Sequence, residues 1–204
     1  MKVDELTVPD AWVCSPTAYR DHRGQFVEWF RSDRLGAITG RRFDVVQANH
    51  SLSRRGVVRG VHFADVPPGQ AKYVYCVRGA VLDVVIDLRV GSPSFGAVDS
   101  VVLESTEPRG VFISEGLGHL LYALKDETSV TYLTSRAYEP TAEHAVCPLD
   151  PELGLPVPAP PSEWVVSDRD AAAPTLDEAL KAGLLPRYEA CRARYDELQF
   201  PRSD

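Results

Sequence analysis

The sequence predicts a mainly β, single-domain protein: an antiparallel β-sandwich or barrel followed by a short helical tail. Three observations carry this reading. From Val45 to about Tyr138 the chain is a series of short, β-branched-rich runs separated by Gly, Pro and Asp. Residues 148 to 161 then hold six prolines in fourteen positions, which suits an extended segment crossing the surface rather than regular structure. Beyond them, Thr175-Leu176-Asp177-Glu178 has the S/T-x-x-E pattern of a helix-capping box.

Taken in order, the strand runs are Val57–Val61, Tyr73–Val77, Val81–Leu88, Ser100–Leu103, Val111–Ile113, Leu120–Leu124 and Ser129–Thr134. Arg78-Gly79, Gly91-Ser92-Pro93 and Lys125-Asp126-Glu127 supply turns between them. The run Ala80–Asp87 is apolar on both faces for a stretch and so belongs to the buried middle. In the tail, one helix is expected over Leu176–Ala182, stopping near Gly183 and Pro186. A second is expected over Arg187–Leu198, where Tyr188, Cys191 and Tyr195 fall at helical spacing and pack against the barrel. The expected division of residues 1–204 is a barrel over about 20–147, a crossing segment over 148–161 and a tail over 162–204.

Composition narrows the function. The chain has 204 residues and a formal charge of -7, so bulk nucleic acid and anionic membrane are disfavoured as partners, although a small basic pocket is not excluded. Lysine is scarce, with only Lys2, Lys72, Lys125 and Lys181. Cys14, Cys76, Cys147 and Cys191 are widely spaced, which suits reduced thiols in a cytoplasmic protein rather than a disulfide framework or zinc site. The N-terminus lacks the pattern of a signal peptide, and no apolar run approaches the ~20 residues needed to span a bilayer. No G-x-G-x-x-G or Walker-type loop occurs.

The densest polar cluster among the strands is Gln47-Ala48-Asn49-His50, followed by Arg59-Gly60-Val61-His62. Gln47 and Asn49, two residues apart, share a face of a strand. Arg59 and His62, three apart, face opposite sides unless a bulge at Gly60 brings them together. Polar groups inside a barrel suggest a lined pocket, although His62 alone reads as a satisfied core histidine. Lys72 is either a solvated residue at a strand start or a donor to a substrate oxygen on which charge builds. His119 begins an apolar run, and Tyr132 by itself reads as core. His62 and His119, without the carboxylate of an H-x-H metal motif, are too few for a tight transition-metal site, so no metal and no cofactor are expected.

Together the residues resemble a family, the dTDP-4-dehydrorhamnose 3,5-epimerases and the related dTDP-4-keto-6-deoxyhexose epimerases. The matching segments include 21–28 (Asp-His-Arg-Gly-Gln-Phe-Val-Glu), 47–51 (Gln-Ala-Asn-His-Ser), 56–63 (Gly-Val-Val-Arg-Gly-Val-His-Phe) and 68–72 (Pro-Gly-Gln-Ala-Lys). They continue through 84–96, 115–119 (Glu-Gly-Leu-Gly-His), Tyr132, 149–154 and 167–170 (Ser-Asp-Arg-Asp), in family order across roughly residues 20 to 176. The resemblance implies a cupin-type, metal-free jelly-roll barrel, usually a homodimer in which N-terminal strands extend the partner's sheet. It implies a dTDP-sugar substrate with a C4 ketone. His62 matches the general base, Asp170 its orienting carboxylate, Lys72 the partner of the C4 oxygen and Tyr132 the acid on the opposite face. Arg23, Glu28, Gln47, Asn49, Arg59, His119 and Glu143 match positions that contact nucleotide, diphosphate or sugar, and Arg169 stands where the family usually has Lys.

Chemically that set is sufficient. Epimerisation beside a ketone needs a base on one face, stabilisation of the enolate and an acid on the other face. Arg23 and Arg59 would offer planar forks for a diphosphate. The chain departs from the rhamnose-pathway pattern at Ala48 and at Leu117-Gly118-His119-Leu120, while 67–72 and 75–79 look more like antibiotic-pathway members. Leu120 and Leu121 beside His119 are expected to alter the seat of the sugar, and inversion at C3 alone is favoured over C3 and C5. Two other classes compete, a non-catalytic sugar-nucleotide binding barrel and a sugar 3,4-ketoisomerase. Four matching chemical positions speak against the first, and Phe63-Ala64 beside His62, where a second histidine would be needed, against the other.

Overall fold

A computed structural model describes residues 1–201. Two antiparallel sheets face each other as a jelly roll. The first contains β1 (Lys2–Glu5), β2 (Ala11–Ser15), β5 (Gln47–Ser53), β7 (Lys72–Arg78), β10 (Gly110–Ile113) and β12 (Thr128–Thr134), in the order β1-β2-β10-β7-β12-β5. The second contains β6 (Val58–Ala64), β8 (Ala80–Asp87), β9 (Val98–Glu104), β11 (Leu117–Ala123) and β13 (Glu143–Ala145), in the order β13-β6-β11-β8-β9. A hairpin of β3 (Ala18–Asp21) and β4 (Gly24–Val27) forms a two-stranded sheet of its own. The main sheet therefore begins at Lys2, upstream of the expected start near residue 20. The strands β1 and β2 pair with each other, and β2 pairs with β10 of the same chain.

Three apolar layers hold the sheets, and they follow from strand alternation. Between the sheets lie Val74, Cys76, Val81, Val85, Leu103, Val111 and Val130. On the outer face of the five-stranded sheet, Leu82, Val84, Ile86, Leu120 and Tyr122 pack against Trp164, Leu176 and Leu185 of the tail. This second covering explains why β8 is apolar on both faces. On the outer face of the other sheet, Trp12, Tyr73 and Phe112 are covered by Trp29, Phe30, Phe43 and Leu35. Leu35 sits on α1 (Ser32–Thr39), a helix that the sequence reading did not foresee.

The crossing segment is less extended than its prolines imply. Pro151–Leu153 and Pro161–Glu163 form short 3₁₀ turns, each with proline in the first turn, where no N–H is needed. The single turn α2 (Asp168–Ala171), capped by Ser167, was not expected, whereas two tail helices follow their sequence signals: α3 (Leu176–Lys181), which starts in a complete Thr175/Glu178 capping box, and α4 (Tyr188–Glu197). A buried ion network docks α4. Arg89, fully buried, bonds both oxygens of Asp87 at 2.9 Å and Asp10 at 2.6 Å, and Tyr195 at 3.2 Å. Arg41 pairs with Asp10 from the other side and lies 3.6 Å over the Tyr195 ring. All four cysteines are free and buried, and no helix among the described residues is long and apolar enough to cross a membrane.

Candidate active site

A cavity of about 530 Å³ opens between the sheets. Its walls carry Gln47, Asn49, Arg59, His62, Lys72, His119, Tyr132, Glu143, Arg169 and Asp170, brought together from five strands of the jelly roll, the short β13 and the start of the tail. Strand parity puts most of them there. Gln47, Asn49 and Ser51 alternate inward along β5, and Gln47 Nε2 donates to Asn49 Oδ1 at 2.7 Å.

Arg59 and His62 reach the same wall through the expected bulge. The β6–β11 register passes from Arg59↔Leu121 to His62↔His119, so three steps on β6 oppose two on β11. Gly60 occupies the bulge at φ +123°, and its amide donates to Asp170 Oδ2 at 3.4 Å.

His62 Nε2 donates to Asp170 Oδ1 at 2.8 Å, which fixes the ring and leaves Nδ1 as its free basic nitrogen. Asp170 is buried at the start of α2, where Ser167 caps the helix by accepting from its backbone N–H. Burial pushes the Asp170 carboxyl up, but the hydrogen bond and charge of His62, with help from Gly60 and Ser167, hold it below the usual range. Across the cavity stands Tyr132 on β12, so His62 and Tyr132 face each other from opposite sheets. Burial raises the Tyr132 phenol and the Glu143 charge adds to this, against the opposing effect of Arg59. Lys72 opens β7 inside the barrel, where burial lowers its ammonium and the charges of Glu143 and Asp83 work in the other direction.

The remaining residues set the rim. Arg59 is held by Ser53 Oγ at 3.1 Å, Glu143 accepts from Gln70 Nε2 at 3.0 Å, and Arg169 Nη1 donates to the Tyr138 hydroxyl at 3.2 Å. Two expected residues are elsewhere. Arg23 sits exposed at the β3–β4 turn, paired with Asp21 at 2.6 Å, and Glu28 is exposed near Arg31 at 3.5 Å. Within one chain, then, the expected Arg23–Arg59 diphosphate fork is not assembled, because the hairpin belongs to neither main sheet. Leu121 lines the cavity as expected, but Leu120 does not. It is fully buried on the other face of β11, in the layer against the tail.

Sequence reading missed Asp83, Gln70 and Tyr138. Asp83 is 1 % exposed and bonds His119 Nε2 at 2.9 Å. Its signal was present, a carboxylate set between apolar neighbours in the middle of the run Ala80–Asp87. Among the described residues no group of three or more His, Cys, Asp or Glu is placed to hold a metal ion.

Comparison with known proteins places this geometry. A family model described as dTDP-4-dehydrorhamnose 3,5-epimerase matches residues 5–178. The chain is 51% identical over 199 residues to a dTDP-4-dehydrorhamnose 3,5-epimerase of Mycolicibacterium smegmatis, covering 98% of each chain. It is 49% identical to a dTDP-4-dehydrorhamnose 3-epimerase of Streptomyces niveus, covering 95% of this chain and 92% of that one. Among solved structures it matches ChmJ, a 3'-monoepimerase from Streptomyces bikiniensis in complex with dTDP-quinovose. There the TM-score is 0.91 at 43% identity, with 95% of this chain and 98% of that chain covered.

Proposed function

The chain belongs to the dTDP-4-dehydrorhamnose 3,5-epimerase family, and on that premise we propose that it inverts C3 of a dTDP-4-keto-6-deoxyhexose in deoxysugar biosynthesis without a cofactor. The observation that carries the mechanism is the opposition of His62–Asp170 and Tyr132 across one cavity, with Lys72 between the sheets. His62 Nδ1 takes the proton from C3, and the C–H electron pair moves into the C3–C4 bond as charge passes to the C4 oxygen. Lys72 stabilises that oxygen as an ammonium donor. Tyr132 then gives its phenolic proton to the other face of C3 while the ketone re-forms. The two residues return to their starting protonation states through solvent. Asp170 keeps the imidazole in the required tautomer and offsets the charge it acquires.

Placement supports a homodimer. Arg23 and Glu28 match substrate-contacting positions of the family, yet neither lines the cavity of its own chain; both are exposed, on or beside a hairpin that belongs to neither main sheet, which suits a hairpin that reaches the cavity of a second copy. Four buried, unpaired thiols suit the reducing cytoplasm.

Incubation with dTDP-4-keto-6-deoxyglucose in deuterated water, followed by NMR, tests the reading. Deuterium at C3 alone is expected. Deuterium at both C3 and C5 would instead establish the second reading, a 3,5-epimerase, which the Mycolicibacterium relative favours. No exchange at either carbon would overturn the epimerase reading altogether.

A further inference from the structure

One short motif occurs twice in the tail and is put to two uses. Thr175-Leu176-Asp177-Glu178 and Ser167-Asp168-Arg169-Asp170 both place a hydroxyl at the N-cap and an acid three residues on. At α3 the box closes on itself. The Glu178 N–H donates to Thr175 Oγ1 at 3.2 Å, and Glu178 Oε2 accepts from the Thr175 N–H at 2.9 Å. At α2 only half of the box forms. The Asp170 N–H donates to Ser167 Oγ at 3.1 Å, but the Asp170 carboxylate does not turn back to the Ser167 backbone. It is directed to β6 instead, accepting from His62 Nε2 at 2.8 Å and from the Gly60 N–H at 3.4 Å.

We propose that Ser167 is a positioning residue: by capping α2 at the N–H of Asp170, it fixes the carboxylate that holds His62 in its working tautomer. The inference rests on the epimerase reading for the task assigned to His62. Its physical basis is the size of α2. Asp168–Ala171 is a single turn, and a single turn is not stable by itself, because nucleation fixes several dihedrals for one hydrogen bond. Its backbone bonds run from the Ala171 N–H to Ser167 O at 2.9 Å and from the Ala172 N–H to Asp168 O at 3.0 Å, which leaves the N–H of Asp170 to the cap. Without the cap the turn frays, and the Asp170 side chain loses its aim at Nε2.

The other fastenings of this segment hold its ends. Upstream, the Val165 N–H donates to Gly56 O at 2.9 Å and Val165 O accepts from the Val58 N–H at 3.0 Å, which lays the chain along the start of β6. Downstream, Cys147 donates through its N–H to Pro174 O at 2.8 Å and through Sγ to Ala171 O at 3.5 Å. Between them, among the described residues, the Ser167 hydroxyl is the only side chain that bonds a backbone N–H of α2. The hydroxyl acts on the side chain as well. Burial pushes the Asp170 carboxyl up, and Ser167 joins His62 and Gly60 in holding it below the usual range. Ser167 is exposed on the cavity wall, so alanine there removes one hydroxyl and leaves the core untouched.

The test compares the two boxes. In Ser167→Ala the neutral His62 ring, followed by ¹⁵N NMR and assigned by its absence in His62→Ala, is expected to lose its single Nε2–H tautomer and to show averaged shifts for its two nitrogens. The kcat for C3 inversion should fall by roughly 2- to 30-fold, the worth of one helix cap, and by more than KM rises. Ser167→Thr, which keeps the hydroxyl, should restore both. Thr175→Ala removes the equivalent cap from α3, outside the cavity lining, and should lower stability in urea while leaving the tautomer and kcat as in wild type. An unchanged His62 tautomer in Ser167→Ala overturns the proposal. So does an equal loss of tautomer or kcat in Thr175→Ala, or no recovery in Ser167→Thr. The NMR readout needs no substrate, so its failure is distinct from absence of exchange in the wild-type enzyme.

Discussion

Replacing Gly60 with alanine should damage stability and catalysis together. At φ +123° an L-residue is strained, at a cost of about 1–3 kcal/mol. The new Cβ would also lie 2.4 Å from the His119 carbonyl oxygen and 2.9 Å from Leu120 Cα. Both are backbone atoms of β11, so no side chain can swing aside. Overpacking of this kind costs roughly 1–3 kcal/mol more, giving a total of about 2–6 kcal/mol. Restoring ordinary contact near 3.4 Å requires β6 and β11 to part by about 1 Å, the difference between 3.4 and 2.4 Å. That separation falls between Arg59 and His62, and a 1 Å misplacement of catalytic groups costs ~10²-fold in rate. Urea denaturation reads the first effect and kcat for C3 inversion the second. Gly96→Ala is the control, since it has φ +81° with nothing within 4 Å of the added carbon and should show the backbone cost alone with normal kcat. A Gly60→Ala protein within about 0.5 kcal/mol and twofold of wild type would refute the reasoning from the bulge.

Tyr132→Phe should cut inversion by ~10²–10⁴-fold while His62 still exchanges the C3 proton with solvent on its own face; loss of both would remove Tyr132 from the role of distal acid. Arg23→Ala should raise KM by ~10–100-fold, the worth of a charged hydrogen bond of about 1.5–3 kcal/mol. If the hairpin acts in trans, mixing Arg23→Ala with His62→Ala chains restores about a quarter of the wild-type sites, whereas a hairpin acting in cis restores none. Arg89→Met removes the only arginine on the buried Asp87 carboxylate and one of the arginines on Asp10, which keeps Arg41, and should cost about 3–5 kcal/mol, lowering Tm by roughly 6–20 °C in calorimetry. Burial raises both carboxyls, but their arginine partners outweigh it and hold them below the ordinary 3.8. Their contribution to stability is therefore complete above about pH 4 and lost as pH falls through the folded-state range, and an acid titration followed by circular dichroism should show wild type losing more stability there than Arg89→Met.

Much of the fold was legible because its signals are local. The capping box at Thr175 and Glu178 needs four residues and is formed as read. Seven strand runs needed only β-branched stretches and turn residues, and each lies within or overlaps a strand of the two sheets. By contrast, α1 has no capping side chain and is held by the packing of Leu35 against a sheet face assembled from distant strands. The pairing of β1 and β2 with β10 is likewise long-range, and nothing within residues 2–15 announces it.

The site divides along the same line. Gln47 and Asn49 were legible from parity, and Arg59 with His62 from parity plus the conformational freedom of Gly60. What lines a wall depends on one strand's alternation, a one-dimensional property. What a wall residue pairs with depends on register between strands, and here sequence spacing is silent. His119 and Asp83 are 36 residues apart, and His62 and Asp170 are 108 apart. A charge in a buried strand is nevertheless a demand for a partner, whatever the register turns out to be. Asp83 made that demand in the sequence; β11 answers half of it through His119 Nε2, and Oδ1 stays without a hydrogen-bond partner among the described residues.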